Sequence, residues 1–169
     1  MALEEVSSLG KSDFIARFGG VFEHSPWVAE RAWQRRPFAS VDALHRAMLG
    51  AMDAASREEK LALIRAHPEL AGAEAVEGKL TAASTGEQGR LGFNRLSKAE
   101  FQAMSDLNRR YREKFGFPCI VALKLHADRQ SVMAEMGRRS NNPQDAEIRN
   151  ALEQIGHIAR GRLENMLNG

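Results

Sequence analysis

The residues best suited to chemistry lie between 63 and 92, LIRAHPELAGAEAVEGKLTAASTGEQGRLG. At one end His67 stands directly before Pro68. Residues 57–66 are good helix formers, and Leu63 and Ile64 precede His67 by four and three positions, so the three share a face. Proline disfavours helical geometry in the residue before it, which predicts that this helix closes at His67. An imidazole at a helix C-terminus is favoured in its protonated form. That suits a group exchanging a proton near neutral pH. The same position would also suit a histidine that only satisfies a helix end.

At the other end Ser84-Thr85-Gly86-Glu87-Gln88 opens a polar, glycine-rich helix. Ser84 and Glu87 have the spacing of a capping box, in which each side chain bonds a backbone N–H of the first turn. That reading explains both residues without a ligand. It leaves Gly86, Gly89 and Gly92, each costing about 0.5–1 kcal/mol relative to alanine inside a helix. Their spacing predicts a close approach to the backbone, by another helix or by a ligand at the exposed N–H groups. Neither Gly-x-Gly-x-x-Gly nor a Walker lysine pattern is present, which excludes a nucleotide loop. The two ends of the stretch are expected to face each other as walls of one pocket.

The rest of the chain must position them. Its 169 residues suit a single domain, 1–169. Helical periodicity dominates, and the expected fold is an all-α, single-domain bundle of about eight helices. Ser12 is placed to cap a helix carrying Phe14, Ile15 and Phe18. Pro26 opens another, and Ser40 caps one with Leu44, Met48 and Met52 inward. Ser97 and Glu100 form a capping box for a long helix striped with Phe101, Met104, Leu107, Tyr111 and Phe115 and closed by Gly116. Helices are also expected over 129–136 and from Pro143 to about 167.

Residues 117–125, FPCIVALKL, read as a buried strand or a buried helix start. One strand has no partner here, so a buried extended turn leading into a helix fits better. Its backbone groups need partners, and a polar substrate could supply them. Pro118 cannot donate, which leaves the N–H groups of Cys119 and Ile120. On the last helix the stripe Ile148, Leu152, Ile155, Ala159 and Met166 has Arg162 at its missing station. A buried guanidinium needs a partner, and its fork suits a carboxylate. Alternatively, Arg162 reaches over the rim to water, Glu153 or Glu164.

Charge and composition narrow the class. With 24 basic and 22 acidic residues the net charge is +2, which argues against a nucleic-acid surface despite Arg109, Arg110, Arg112, Lys114 and the Arg138-Arg139 pair. The lone Cys119 excludes an internal disulfide and thiolate-rich metal sites. The histidines lack His-x-x-x-His spacing, so no metal site is expected. No apolar run reaches membrane-spanning length. The N-terminus has no secretory pattern and the C-terminus no Ser-Lys-Leu, which makes the cytoplasm the expected location.

Four segments, HPELAG at 67–72, LTAASTGEQ at 80–88, LNRRYREKFGFPCIVALK at 107–124 and IARGRL at 158–163, occur in one order across nearly the whole chain. Together they resemble the 2-oxo-4-hydroxy-4-carboxy-5-ureidoimidazoline (OHCU) decarboxylases, which act in the last step from urate to (S)-allantoin. The resemblance implies an all-α homodimer with no metal and no organic cofactor, acting on OHCU as small-molecule substrate and releasing (S)-allantoin. It assigns His67 and Glu87 as catalytic and Ser84, Gln88 and Arg162 as substrate-binding. Phe117, Cys119 and Ile120 match the turn whose backbone contacts substrate. Cys119 stands where a larger apolar residue is common, Ala83 where a polar one is, and Leu125 where glycine is; none touches the matched catalytic set. The competing classes are a non-catalytic helical interaction module and a nucleic-acid binder.

Overall fold

The computed structural model describes residues 2–168. Among these it contains ten α-helices and one short 3-10 turn, and no strand. Eight of the helices have seven or more residues, in line with the number expected from periodicity. The chain divides into two compact units, one taking the chain up to Ala66 and again from Gly156, the other running His67–Ile155.

The first unit contains α1 (Leu3–Ser8), α2 (Lys11–Phe18), α3 (Trp27–Trp33), α4 (Val41–Asp53), α5 (Arg57–Ala66) and the C-terminal part of α10 (Gln144–Asn168). Phe14 packs on Phe18 and Phe38, with ring centroids 4.9 and 5.9 Å apart. Around them Val28, Leu44, Met48, Leu63, Ile64 and Leu163 are buried. The Ser40 hydroxyl caps α4 by accepting from the Ala43 N–H at 3.0 Å, as expected. Ser12 is not the cap: α2 begins at Lys11, with the extended Gly10, two residues before Ser12, as its N-cap. Trp27 and Trp33 are half-buried beneath the guanidinium groups of Arg31 and Arg36, 4.6 and 3.6 Å above their rings.

The second unit contains α6 (Ala73–Val76), α7 (Ala82–Arg90), α8 (Lys98–Phe115), the 3-10 turn Leu123–Leu125, α9 (Arg129–Arg139) and the N-terminal part of α10. Both bonds of the Ser97–Glu100 box form, each at 3.1 Å. The buried stripe of α8 is Met104, Asn108, Tyr111 and Phe115. Phe101 is exposed and Leu107 only half-buried, because Asn108 turns inward to donate to the Leu70 carbonyl at 2.9 Å. On α10 the buried positions are Glu147, Ile148, Ala151, Ile155, Gly156, Ala159, Arg162 and Leu163. Leu152 and Met166, expected inward, are half-buried.

The polar centre of this unit is Glu147, which is fully buried. Its carboxylate accepts from the Tyr111 hydroxyl, from Arg139 Nε at 2.9 Å and from the amides of Asn142 and Asn150 at 2.9 and 2.7 Å. Burial alone would raise its pKa, but the bonds from Asn142, Tyr111 and Asn150 and the charge of Arg139 outweigh that and hold it below the ordinary 4.5. A carboxyl lowered in the fold contributes stability that is complete above its unfolded value and is lost as pH falls through its folded one. Glu147→Gln leaves Arg139 buried without its counter-charge and should cost about 3–5 kcal/mol at neutral pH. Urea unfolding of the two proteins should show this gap constant at neutral pH and narrowing below about pH 4.5.

Candidate active site

α5 ends at Ala66, and His67 follows it with 5% of its surface exposed. Its Nε2 is buried. Leu63 and Ile64 of α5 are both fully buried. Past Pro68 the chain turns sharply, with Ala71 at φ +50°. A left-handed alanine costs about 1–2 kcal/mol, so other contacts must hold it.

Those contacts come from α7 and α8. Gln88 Oε1 accepts from the Ala71 N–H at 3.0 Å, and Gln88 Nε2 donates to the Glu69 carbonyl at 3.4 Å. Asn108 holds the Leu70 carbonyl, and Arg112 Nη1 bonds both oxygens of the Glu69 carboxylate at 2.7 and 2.8 Å. The turn after the histidine is thus fixed residue by residue. Half of the amide capacity of Gln88 thus anchors this turn.

The start of α7 differs from the sequence expectation. The N-cap is Thr81, whose hydroxyl accepts from the Ser84 N–H at 3.2 Å, so Ser84 and Glu87 form no capping box. Both serine and threonine can cap, and the earlier one prevails. Ser84 therefore sits within the first turn. It is buried with Gln88 one turn later, and Glu87 beside them is half-buried. The glycine expectation is not met inside α7, and Gly92 lies past the end of that helix. A Cβ on Gly92, at φ +78°, would lie 2.5 Å from Arg129 Nη1. At Gly86 it would meet nothing within 4 Å, and at Gly89 it would make only an ordinary contact, so no helix packs against either.

Residues 117–122 are irregular, with Ala122 extended, and lead into the 3-10 turn, as the reading of a buried extended segment required. Phe117, Cys119 and Ile120 are all buried. The Ile120 carbonyl accepts from Arg139 Nη1, and the Ala122 N–H donates to Gln154 Oε1 at 2.9 Å. Arg90 donates to the Leu123 and His126 carbonyls. Among the described residues the N–H groups of Cys119 and Ile120 donate to no backbone oxygen. Burial pushes the Cys119 thiol up to about 12, against the opposing charge of Arg139. The thiol is therefore protonated at neutral pH and is no nucleophile.

Arg162 belongs to the first unit. It is buried, 7% exposed, which excludes the reading that it reaches over the rim to water. Its Nη2 pairs with Glu23 Oε1 at 3.0 Å and its Nη1 donates to the Val21 carbonyl at 3.3 Å. Sequence reasoning missed Glu23, Asn108, Arg139 and Glu147. Asn108 had a signal, a polar residue at a helical core station. Glu23 had none, because it lies 139 positions from its partner. Of the basic residues considered for nucleic acid, Arg139 is buried and paired with Glu147.

The frame is all-helical among the described residues, and the buried His67 stands before a turn that side chains of α7 and α8 fix. The chain belongs to the OHCU decarboxylase family, whose model matches residues 7–164. It is 42% identical over 163 residues to the 2-oxo-4-hydroxy-4-carboxy-5-ureidoimidazoline decarboxylase of Haloferax volcanii, covering 96% of this chain and 94% of that protein. The protein of the same description in Mus musculus is 34% identical over 167 residues, covering 99% and 93% of the two chains. Among solved structures, that of (S)-allantoin synthase superposes with a TM-score of 0.79 at 27% identity, over 99% of this chain and 54% of that one. An OHCU decarboxylase crystallised in the presence of (S)-allantoin has a TM-score of 0.68 at 19% identity and shares the fold, over 85% of this chain and 92% of that one.

The protonated, buried state of the lone cysteine can be checked directly. The native protein should resist a thiol-specific alkylating reagent at mildly alkaline pH, while the denatured protein takes up one equivalent by mass spectrometry.

Proposed function

We propose that this protein is a carboxy-lyase that decarboxylates OHCU to (S)-allantoin without a cofactor, the closing step of urate degradation. The observation that carries the reading is the junction of Gln88 with the turn after His67. It joins α7, which bears Ser84 and Glu87, to the histidine turn. The family to which the chain belongs supports the same chemistry.

OHCU contains its own electron sink. When the bond from C4 to the carboxyl carbon breaks, carbon dioxide leaves and the electron pair passes into the ring carbonyl and imine. A proton then arrives on one face of C5, and the C4 hydroxyl gives up its proton to become the ring carbonyl of allantoin. The protein's tasks are to orient the carboxylate, stabilise charge on the ring and control that face. His67 is the acid–base group, held by a turn that fixes where the imidazole begins. Glu87 bonds the substrate hydroxyl, and Ser84 and Gln88 fix the ring and ureido group. The backbone N–H groups of Cys119 and Ile120, beside Phe117, take the developing ring charge, as an oxyanion hole does. Arg162 bonds an anionic or carbonyl oxygen of the substrate. The same reading makes the protein a homodimer, as the family resemblance implies, and we propose the cytoplasm as its location; sedimentation and cell fractionation test the two.

His67→Ala and Glu87→Ala should retain the helical circular-dichroism signal yet lower turnover of freshly generated OHCU by at least about tenfold to a hundredfold. Their product should lose optical activity, because the unstable substrate then decays without facial control. Wild-type turnover by His67→Ala would remove the histidine from the chemistry. A non-catalytic interaction module makes the opposite prediction for the product: allantoin should raise the melting temperature of the enzyme and leave that of a bare module unmoved.

A further inference from the structure

The first unit holds a buried carboxylate that no reading of the sequence anticipated. Glu23 is 1% exposed, and its Oε1 accepts from Arg162 Nη2 at 3.0 Å. Two residues earlier on the same loop, the Val21 carbonyl takes Arg162 Nη1. The loop thus grips both terminal nitrogens of the fork and sets the plane of the guanidinium. The loop is itself pinned, since the Ser25 hydroxyl donates to the Glu23 carbonyl at 2.9 Å. The other Glu23 oxygen lies 3.8 Å from Nε2 of the exposed His24.

A buried ion pair is weak evidence for stability, because desolvating both charges offsets much of their attraction. This one has a use if Arg162 bonds the substrate, and the inference rests on that reading. OHCU carries a carboxylate that must depart as neutral carbon dioxide, while negative charge passes to the ring. An uncompensated guanidinium would grip the carboxylate hardest before it leaves, which deepens the ground state and raises the barrier. A fixed carboxylate beside the fork repels a second one and leaves the arginine for charge that arises elsewhere.

We infer that Glu23 is a positioning residue that keeps Arg162 turned toward the charge developing on the ring and bars the substrate's carboxylate from the fork. Removing the Glu23 charge then tightens binding of the anionic substrate and slows its decarboxylation.

The test measures kcat and KM with OHCU for Glu23→Gln, Glu23→Asp and Arg162→Gln, alongside melting temperatures. Glu23→Gln should lower KM roughly threefold to tenfold and lower kcat by about tenfold or more, a split that loss of folded protein does not produce. A KM at or above the wild-type value, or an unchanged kcat, overturns the inference. Should Glu23→Gln fail to fold, Glu23→Asp decides. It keeps the charge but withdraws it by one methylene, so kcat should fall while KM does not, and a wild-type kcat overturns the inference. Arg162→Gln separates the two claims. If it leaves kcat/KM unchanged, the role of Arg162 falls and the role of Glu23 with it. If it lowers kcat/KM while Glu23→Gln leaves KM unlowered, only the role of Glu23 falls.

Discussion

The second unit depends on one buried carboxylate. Glu147 of α10 draws together Tyr111 of α8, Arg139 of α9 and two asparagine amides flanking it in sequence. Arg139 extends this network to the Ile120 carbonyl, the centre of the irregular segment. Irregular backbone can be buried only where its polar groups find partners. Here a guanidinium, a glutamine and a second arginine provide them for Ile120, Ala122 and Leu123. The N–H groups of Cys119 and Ile120, which the proposed chemistry uses, donate to no backbone oxygen among the described residues.

The histidine turn follows the same design. Ala71 is held in a left-handed conformation by bonds from Gln88, Asn108 and Arg112 to its immediate neighbours and itself. Strain at one backbone position is supportable when several side chains determine it together. Both the turn and the irregular segment therefore get their shape from polar side chains on the regular helices around them.

This explains what could be read from the sequence. Helices came through because their signals are local: Ser40, Ser97 with Glu100, Pro68 and Gly116 mark boundaries within a few residues of where they act. His67 could be placed by its distance from Leu63 and Ile64. The cap of α7 was misplaced because Thr81 and Ser84 compete for one role and local pattern does not rank them. Leu107 was expected inward because apolar periodicity ignores a polar side chain with a carbonyl to reach, as Asn108 has. The partners of Arg162 and Arg139 were invisible because an ion pair between distant residues leaves no periodic trace. The resemblance of four ordered segments recovered the family that single-residue chemistry left open.

The distribution of chromophores has a practical side. The chain has two tryptophans, both on α3, and one tyrosine, in the core of the other unit. Each indole lies under an arginine. Indole emission excited at long wavelength is thus a label for one half of the molecule, supplied by nature without a probe. The phenol absorbance of Tyr111 labels the other half. Comparing the two traces in a single melt reveals whether the halves lose their order together.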